Sequence, residues 1–309
     1  MAALAAVLSV CAAVALAGCG GDDLAVPASR SSALEPGGTL TVVVADPIRT
    51  LDPLRVRTRS ERLASRQIYE PLRSVQQGPF GSTRRRPGVA GSFRANPDST
   101  IWTARLRRGV TFSSGEPLDA DAVLVNVDRW IGSRAGAEGL PELTAADSPR
   151  PGRVRFLLDR PSEDFPRALA DPRFGLVAPA PLLGSGDSDL RPDAAGTGPF
   201  EYREHDGRSV LLARNSTWWG TPLGLGPGVD QVELTNVAGS AQRLAALKGE
   251  GAEVADQLGP AAIRRLSADP LLTALSGGGV AIGLERSVRG FDSASSGQSL
   301  ADIWLTDLR

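Results

Sequence analysis

GTGPFEYREHDGRSVLLARNSTWWG, residues 196–220, sets the fold class. Phe200–Arg203 and Ser209–Ala213 read as the two strands of a hairpin. Asp206-Gly207 lies between them, and this pairing of residue types marks a hairpin turn. Gly196-Thr197-Gly198-Pro199 is a tight turn entering the first strand. It is no phosphate loop, because no Lys-Ser/Thr follows it and a strand comes next instead of a helix. Trp218-Trp219-Gly220 closes the block. Its indole rings suit either stacking on a ligand or packing in the core.

On the C-terminal side, Val229–Asn236 is a β-branched strand, Ser240–Lys248 a short helix, and Ile263–Leu266, Leu271–Leu275 and Val280–Leu284 shorter elements. On the N-terminal side, Arg153–Asp159 and Thr100–Arg107 alternate as strands. Asp119 is a suitable N-cap for a helix through Trp130, with Val123, Val127 and Trp130 on one face. Ser60–Tyr69 forms a helix stopped by Pro71, and Thr39–Ala45 (TLTVVVA) a buried strand. Segments 131–152, 181–197 and 220–228, rich in Gly, Pro, Ser and Asp, are expected to be loops. The chain is thus mixed α/β, without an internal repeat.

The first 18 residues, MAALAAVLSVCAAVALAG, carry no charge and end in small residues, as a signal peptide does. The run is short and Ala-rich for a membrane-spanning helix, which needs about 20 strongly apolar residues. Leu16-Ala17-Gly18-Cys19 resembles the lipobox of bacterial lipoproteins, which implies cleavage between Gly18 and Cys19 and a lipid on Cys19. Residues 19–36 form a polar tether. No Lys or Arg precedes Leu4.

Two cysteines, Cys11 and Cys19, leave no disulfide or cysteine metal site downstream. A net charge of −1 gives no electrostatic case for nucleic acid. His205, the one histidine, lies in the hairpin turn. There is no GxSxG, HExxH or calcium loop, Asp187 and Asp189 lack a completing Glu, and Gly224-x-Gly226-x-Gly228 has no strand before it. The sequence therefore points to no enzyme and no cofactor.

Several blocks share one resemblance. GGTLTVVVADPIRTLDPLR and SRQIYEPLRSV, residues 86–130, the 196–220 block and VDQVELTNVAGSAQRLAALKGEGAEVAD (229–256) together resemble family 5 extracellular solute-binding proteins. These are the peptide- and nickel-type receptors of ABC importers. The resemblance implies a periplasmic-binding-protein-like lobe with a mixed sheet, its core built from 37–53 and 196–309 and a smaller α/β subdomain inserted over 54–195. The family's second lobe, which follows the segment matching Leu258–Leu275, has no counterpart here, while Ser287–Phe291 resembles the family's closing segment. The implied activity is binding of a peptide or other small solute for an importer permease, on the outer face of the cytoplasmic membrane, held there by the lipid. The alternative is a lipoprotein that uses the lobe as a protein-interaction scaffold or sensor. Tyr69, Glu70, Trp218 and Trp219 are the candidate ligand contacts, with Arg84-Arg85-Arg86 as a solvated loop.

Overall fold

The computed structural model describes residues 37–77, 83–85, 88–185, 190–191, 193–223, 227–249, 251–269, 272–277 and 280–285. The leader, Cys11, Cys19, the tether, Arg86, Asp187, Asp189, Gly224, Gly226 and the closing segment from Ser287 lie outside them.

Strand β1 (Thr39–Val44) is the middle of a seven-stranded sheet. Its β-branched run is buried on both faces, as a central strand with parallel neighbours should be. Leu40, Val42 and Val44 enter one apolar cluster and Val43 another on the opposite face. On one side β10 (Gln231–Asn236) runs parallel to it, with Thr39 opposite Gln231 and Val44 opposite Asn236. On the other side β11 (Val254–Ala255) is also parallel. The hairpin of β8 (Phe200–His205) and β9 (Ser209–Arg214) extends the β10 side, and that of β12 (Leu272–Gly277) and β13 (Val280–Glu285) the β11 side. Gly207 turns the first hairpin at φ +86°, a conformation open to glycine at no steric cost.

The smaller sheet, ordered β4-β5-β7-β6, is antiparallel throughout: β4 (Ala90–Ala95), β5 (Ile101–Leu106), β6 (Leu143–Arg150) and β7 (Arg153–Leu158). A two-stranded ribbon pairs β2 (Val75–Gln77) with β3 (Thr83–Arg85), so two members of the expected arginine loop form a strand.

Helix α1 (Arg59–Ile68) starts at a capping box: the Thr58 hydroxyl accepts from the Glu61 amide while the Glu61 carboxylate accepts from the Thr58 amide. Helix α2 (Ala120–Ile131) is capped by Asp119, which accepts from the Ala122 amide at 2.9 Å, and buries Val123, Val127 and Trp130 as the spacing predicts. Helices α6 (Ser240–Lys248) and α7 (Pro260–Leu266) cover the Val43 face.

Residues 131–152 are not a loop. They hold α3 (Arg134–Gly139) and β6. LTAADSPR has little β propensity, but it lies at the sheet edge, where pairing with β7 supplies what the residues lack. Two further short helices are α4 (Phe165–Ala168) and α5 (Pro179–Ser185), the latter running into the expected 181–197 loop. No described helix is long and apolar enough to cross a membrane.

Candidate functional site

Three of the four candidate contacts meet directly. Helix α1 ends at Tyr69, whose hydroxyl donates to the Ala194 carbonyl at 2.9 Å. The next residue, Glu70, lies under both indoles: Trp218 Nε1 donates to Glu70 Oε2 at 3.2 Å and Trp219 Nε1 to the same oxygen at 2.7 Å. The two rings stand 5.5 Å apart at 55°, and the Arg107 guanidinium covers Trp219 at 4.8 Å. All four residues are buried, Trp219 being the most exposed at 8 %.

Burial disfavours the charged form of Glu70 and pushes its carboxyl up to about 7, against the pull of the two indole donors, the nearby Thr197 hydroxyl and the Arg107 charge. The Thr197 hydroxyl is itself buried and has no partner of good geometry among the described residues. The Gly196–Pro199 turn lies against the end of α1. A Cβ on Gly196 would come within 2.1 Å of the Ile68 carbonyl oxygen, and one on Gly198 within 2.4 Å of that of Gln67. Close backbone approach, not a special dihedral angle, is what requires these glycines.

A second polar cluster occupies the carboxyl ends of β10, β1 and β11. It begins where α1 begins, so about 15 Å of helix separates it from Glu70. Arg59, the first residue of α1, donates from Nε to both oxygens of Asp256, at 2.8 and 3.2 Å, and the Asp256 side chain is fully buried. Arg243, buried on α6, donates to four main-chain carbonyls: Val237 at 2.6 Å, Ala238 at 2.7 Å, Asp256 at 2.8 Å and Gln257 at 2.7 Å. Burial lowers its pKa, while Asp256 and Asp46 raise it. Gln257 has φ +53°, and its side-chain oxygen is buried with no partner among the described residues. A residue with a strained backbone and an unused buried acceptor is a pattern associated with binding sites.

The loop after β1 is fastened from within. Asp52 is paired with Arg129 of α2 and accepts from the Leu54 amide at 3.1 Å. Burial works against ionisation of Glu61, but the amides of Arg57, Thr58 and Arg49 outweigh it and hold the carboxyl below its ordinary value. Asn236 Nδ2 donates to the Ala45 carbonyl at 2.9 Å, joining two strand ends.

None of Arg59, Arg243, Asp256 or Gln257 stood out in the sequence. In a chain this rich in arginine no single one is conspicuous. The available signal was positional: Asp256-Gln257 directly follows the strand in EVADQ, where buried charge needs a reason. Among the described residues no group of three or more His, Cys, Asp or Glu is arranged to hold a metal ion. His205 is not in the turn but is the last residue of β8, paired with Val210 and exposed.

The model of bacterial extracellular solute-binding proteins, family 5 (middle), matches residues 85–292. The chain belongs to that family. It is 28% identical over 221 residues to the probable D,D-dipeptide-binding periplasmic protein DdpA of Escherichia coli K12, covering 69% of this chain and 42% of that protein. The periplasmic binding protein DppA from Helicobacter pylori, solved with the peptide STSA, superposes with TM-score 0.69 at 20% identity over 79% of this chain and 51% of that one. AgaA of A. tumefaciens R10, solved with agropinic acid, gives 0.68 at 22% over 78% and 48%. The mixed α/β architecture is therefore that of periplasmic binding proteins, and the chain spans about half the length of the relatives it matches or less.

Proposed function

We propose that this chain binds a small solute, a peptide or a compound of similar size, at the carboxyl ends of β10, β1 and β11, and presents it to an ABC importer permease. The observation that carries the reading is Gln257, with its unused buried acceptor beside the Arg59–Asp256 pair. Open α/β sheets take ligands outside the carboxyl ends of their strands. The names of the relatives, which are binding proteins, support the same role.

Tyr69, Glu70, Trp218 and Trp219 then act as the brace beneath that face, since their polar ends are engaged by protein groups. Residues 37–53 and 196–309 form the core lobe and 54–195 the inserted subdomain. Two observations support this: the larger sheet draws its strands from 39–44 and 200–285, the smaller from 90–158. The lipobox at Gly18-Cys19 supports processing to a Cys19 lipid anchor on the outer face of the cytoplasmic membrane.

Calorimetry of the chain against di- to tetrapeptides tests the binding role. One saturable site is expected. Gln257→Gly, which suits the positive φ and deletes the acceptor, should weaken binding about tenfold without loss of Tm. Absence of heat with every peptide, or full affinity in the glycine variant, would refute the placement. For the anchor, Cys19→Ser should abolish labelling by a radioactive fatty acid in cells. Undiminished labelling would exclude that cysteine.

A further inference from the structure

The loop that borders the proposed solute-binding face is rich in arginine. Residues 46–62, the loop after β1 and the start of α1, hold five arginines against three carboxylates, whereas the whole chain has a net charge of −1. Asp52 is paired with both Arg129 and Arg55, main-chain amides engage Glu61, and Arg59 is paired with Asp256, so Arg57 and Arg62 stand as exposed cations beside these pairs. The arginines lie at the carboxyl end of the central strand of the larger sheet.

Arg59 is the informative one. Its Nε takes both oxygens of Asp256, which fixes the plane of the guanidinium. Among the described residues its two terminal nitrogens have no hydrogen-bond partner, and the side chain is 25% exposed. An arginine held by Nε presents four remaining N–H bonds as a rigid fork, the geometry that matches two oxygens of one carboxylate. The position does nothing for the helix, because a cation at a helix N-terminus opposes the macrodipole. Arg62, three residues along the same helix face, and Arg57 are both exposed. Arg62 Nη1 donates to the Arg57 carbonyl at 2.7 Å, which draws the two residues together beside the fork.

Resting on the binding reading above, we propose that the solute carries a carboxylate, and that Arg59 grips it in a bidentate pair while Arg57 and Arg62 attract it. The Gln257 oxygen, an unused acceptor on the residue after Asp256, takes a donor N–H or O–H of the same molecule. The preferred solute is therefore a small anion with a donor group nearby, such as an acidic peptide.

The test is calorimetry of the chain at low salt against Ala-Glu, Ala-Gln, the C-terminally amidated Ala-Gln, Ala-Lys, glutarate and inorganic phosphate. Ala-Gln should bind at least tenfold more tightly than its amidated form, Ala-Glu more tightly than Ala-Gln and Ala-Gln more tightly than Ala-Lys, and the Ala-Glu affinity should fall as salt rises. Phosphate should bind more weakly than glutarate. Arg59→Lys keeps a cation beside Asp256 but removes the fork, and should cost about tenfold with Ala-Glu. Arg57→Gln, on the exposed loop, should weaken Ala-Glu binding several-fold with no change in Tm, and reports even if Arg59→Lys unfolds. Equal affinity for neutral, cationic and anionic peptides, or unchanged Ala-Glu affinity in both variants, overturns the anionic preference and leaves the binding role standing. No binding by any probe overturns both.

Discussion

Glu70→Gln should flatten the pH dependence of stability between about pH 4.5 and 7. The carboxyl titrates near 7 in the fold and near 4.5 without it, because burial disfavours its charge more than the indole donors and Arg107 favour it. The folded chain therefore binds a proton across this window that the unfolded chain has released. Stability from this group is complete below about pH 4.5 and is lost as pH rises through 7, a fall of about 3 kcal/mol. Glutamine keeps an oxygen to accept from the Trp219 indole and carries no titrating proton. The assay is urea unfolding of wild type and variant at half-unit pH steps, with the difference in ΔG plotted against pH. Subtraction removes groups common to both, among them Glu61 and Asp147, whose lowered pKa values act in the opposite direction at lower pH. The wild type should lose about 3 kcal/mol relative to the variant between pH 4.5 and 7. A difference curve flat across that window would mean that Glu70 is solvated, and would remove the enclosed brace from the account.

Trp219→Phe deletes the 2.7 Å donor to Glu70 and should destabilise by about 1–3 kcal/mol at pH 8 and less at pH 5, read by the same urea titrations. Gly196→Ala would drive a Cβ to within 2.1 Å of the Ile68 carbonyl oxygen and should cost about 3 kcal/mol or more, seen as a large fall in Tm. Asn126→Ala removes two buried hydrogen bonds that join α2 to Val177 and a third to the Ala122 carbonyl within the helix, and a loss of about 2–4 kcal/mol in chemical unfolding is expected. Arg243→Met strands four main-chain carbonyls at the strand ends. It should lower stability by about 3–5 kcal/mol, with hydrogen exchange rising first at residues 237–239 and 256–258.

The elements legible in the sequence were those whose local pattern and tertiary role agree. The Val42-Val43-Val44 end of TLTVVV must be buried on both faces and is, while Thr39 at the start is exposed. The Asp119 cap and the Val123, Val127, Trp130 face belong to one helix and say so without context. LTAADSPR failed for the opposite reason: its strand character comes from β7, which no window over 143–150 contains. The same distinction separates the two polar clusters. Tyr69, Glu70, Trp218 and Trp219 attract notice by their residue types, yet their proximity to one another, across about 150 positions, is visible only in the fold.

The strand-end cluster was hidden more deeply, because its function depends on which bonds are not made. Arg59 differs from its neighbouring arginines only in having Nε held and its terminal nitrogens left over. Among the described residues Gln257 is the glutamine that combines a strained backbone with an unused buried oxygen. Both are statements about unsatisfied valence, which a sequence does not encode residue by residue. Burying a donor or acceptor without a partner costs about 1–3 kcal/mol. A fold that gives Arg243 four carbonyl acceptors, yet leaves the Gln257 oxygen buried without a partner among the described residues, concentrates that cost where an incoming molecule can relieve it. This is the physical reason to place the solute at the strand ends and not beside the conspicuous tryptophans.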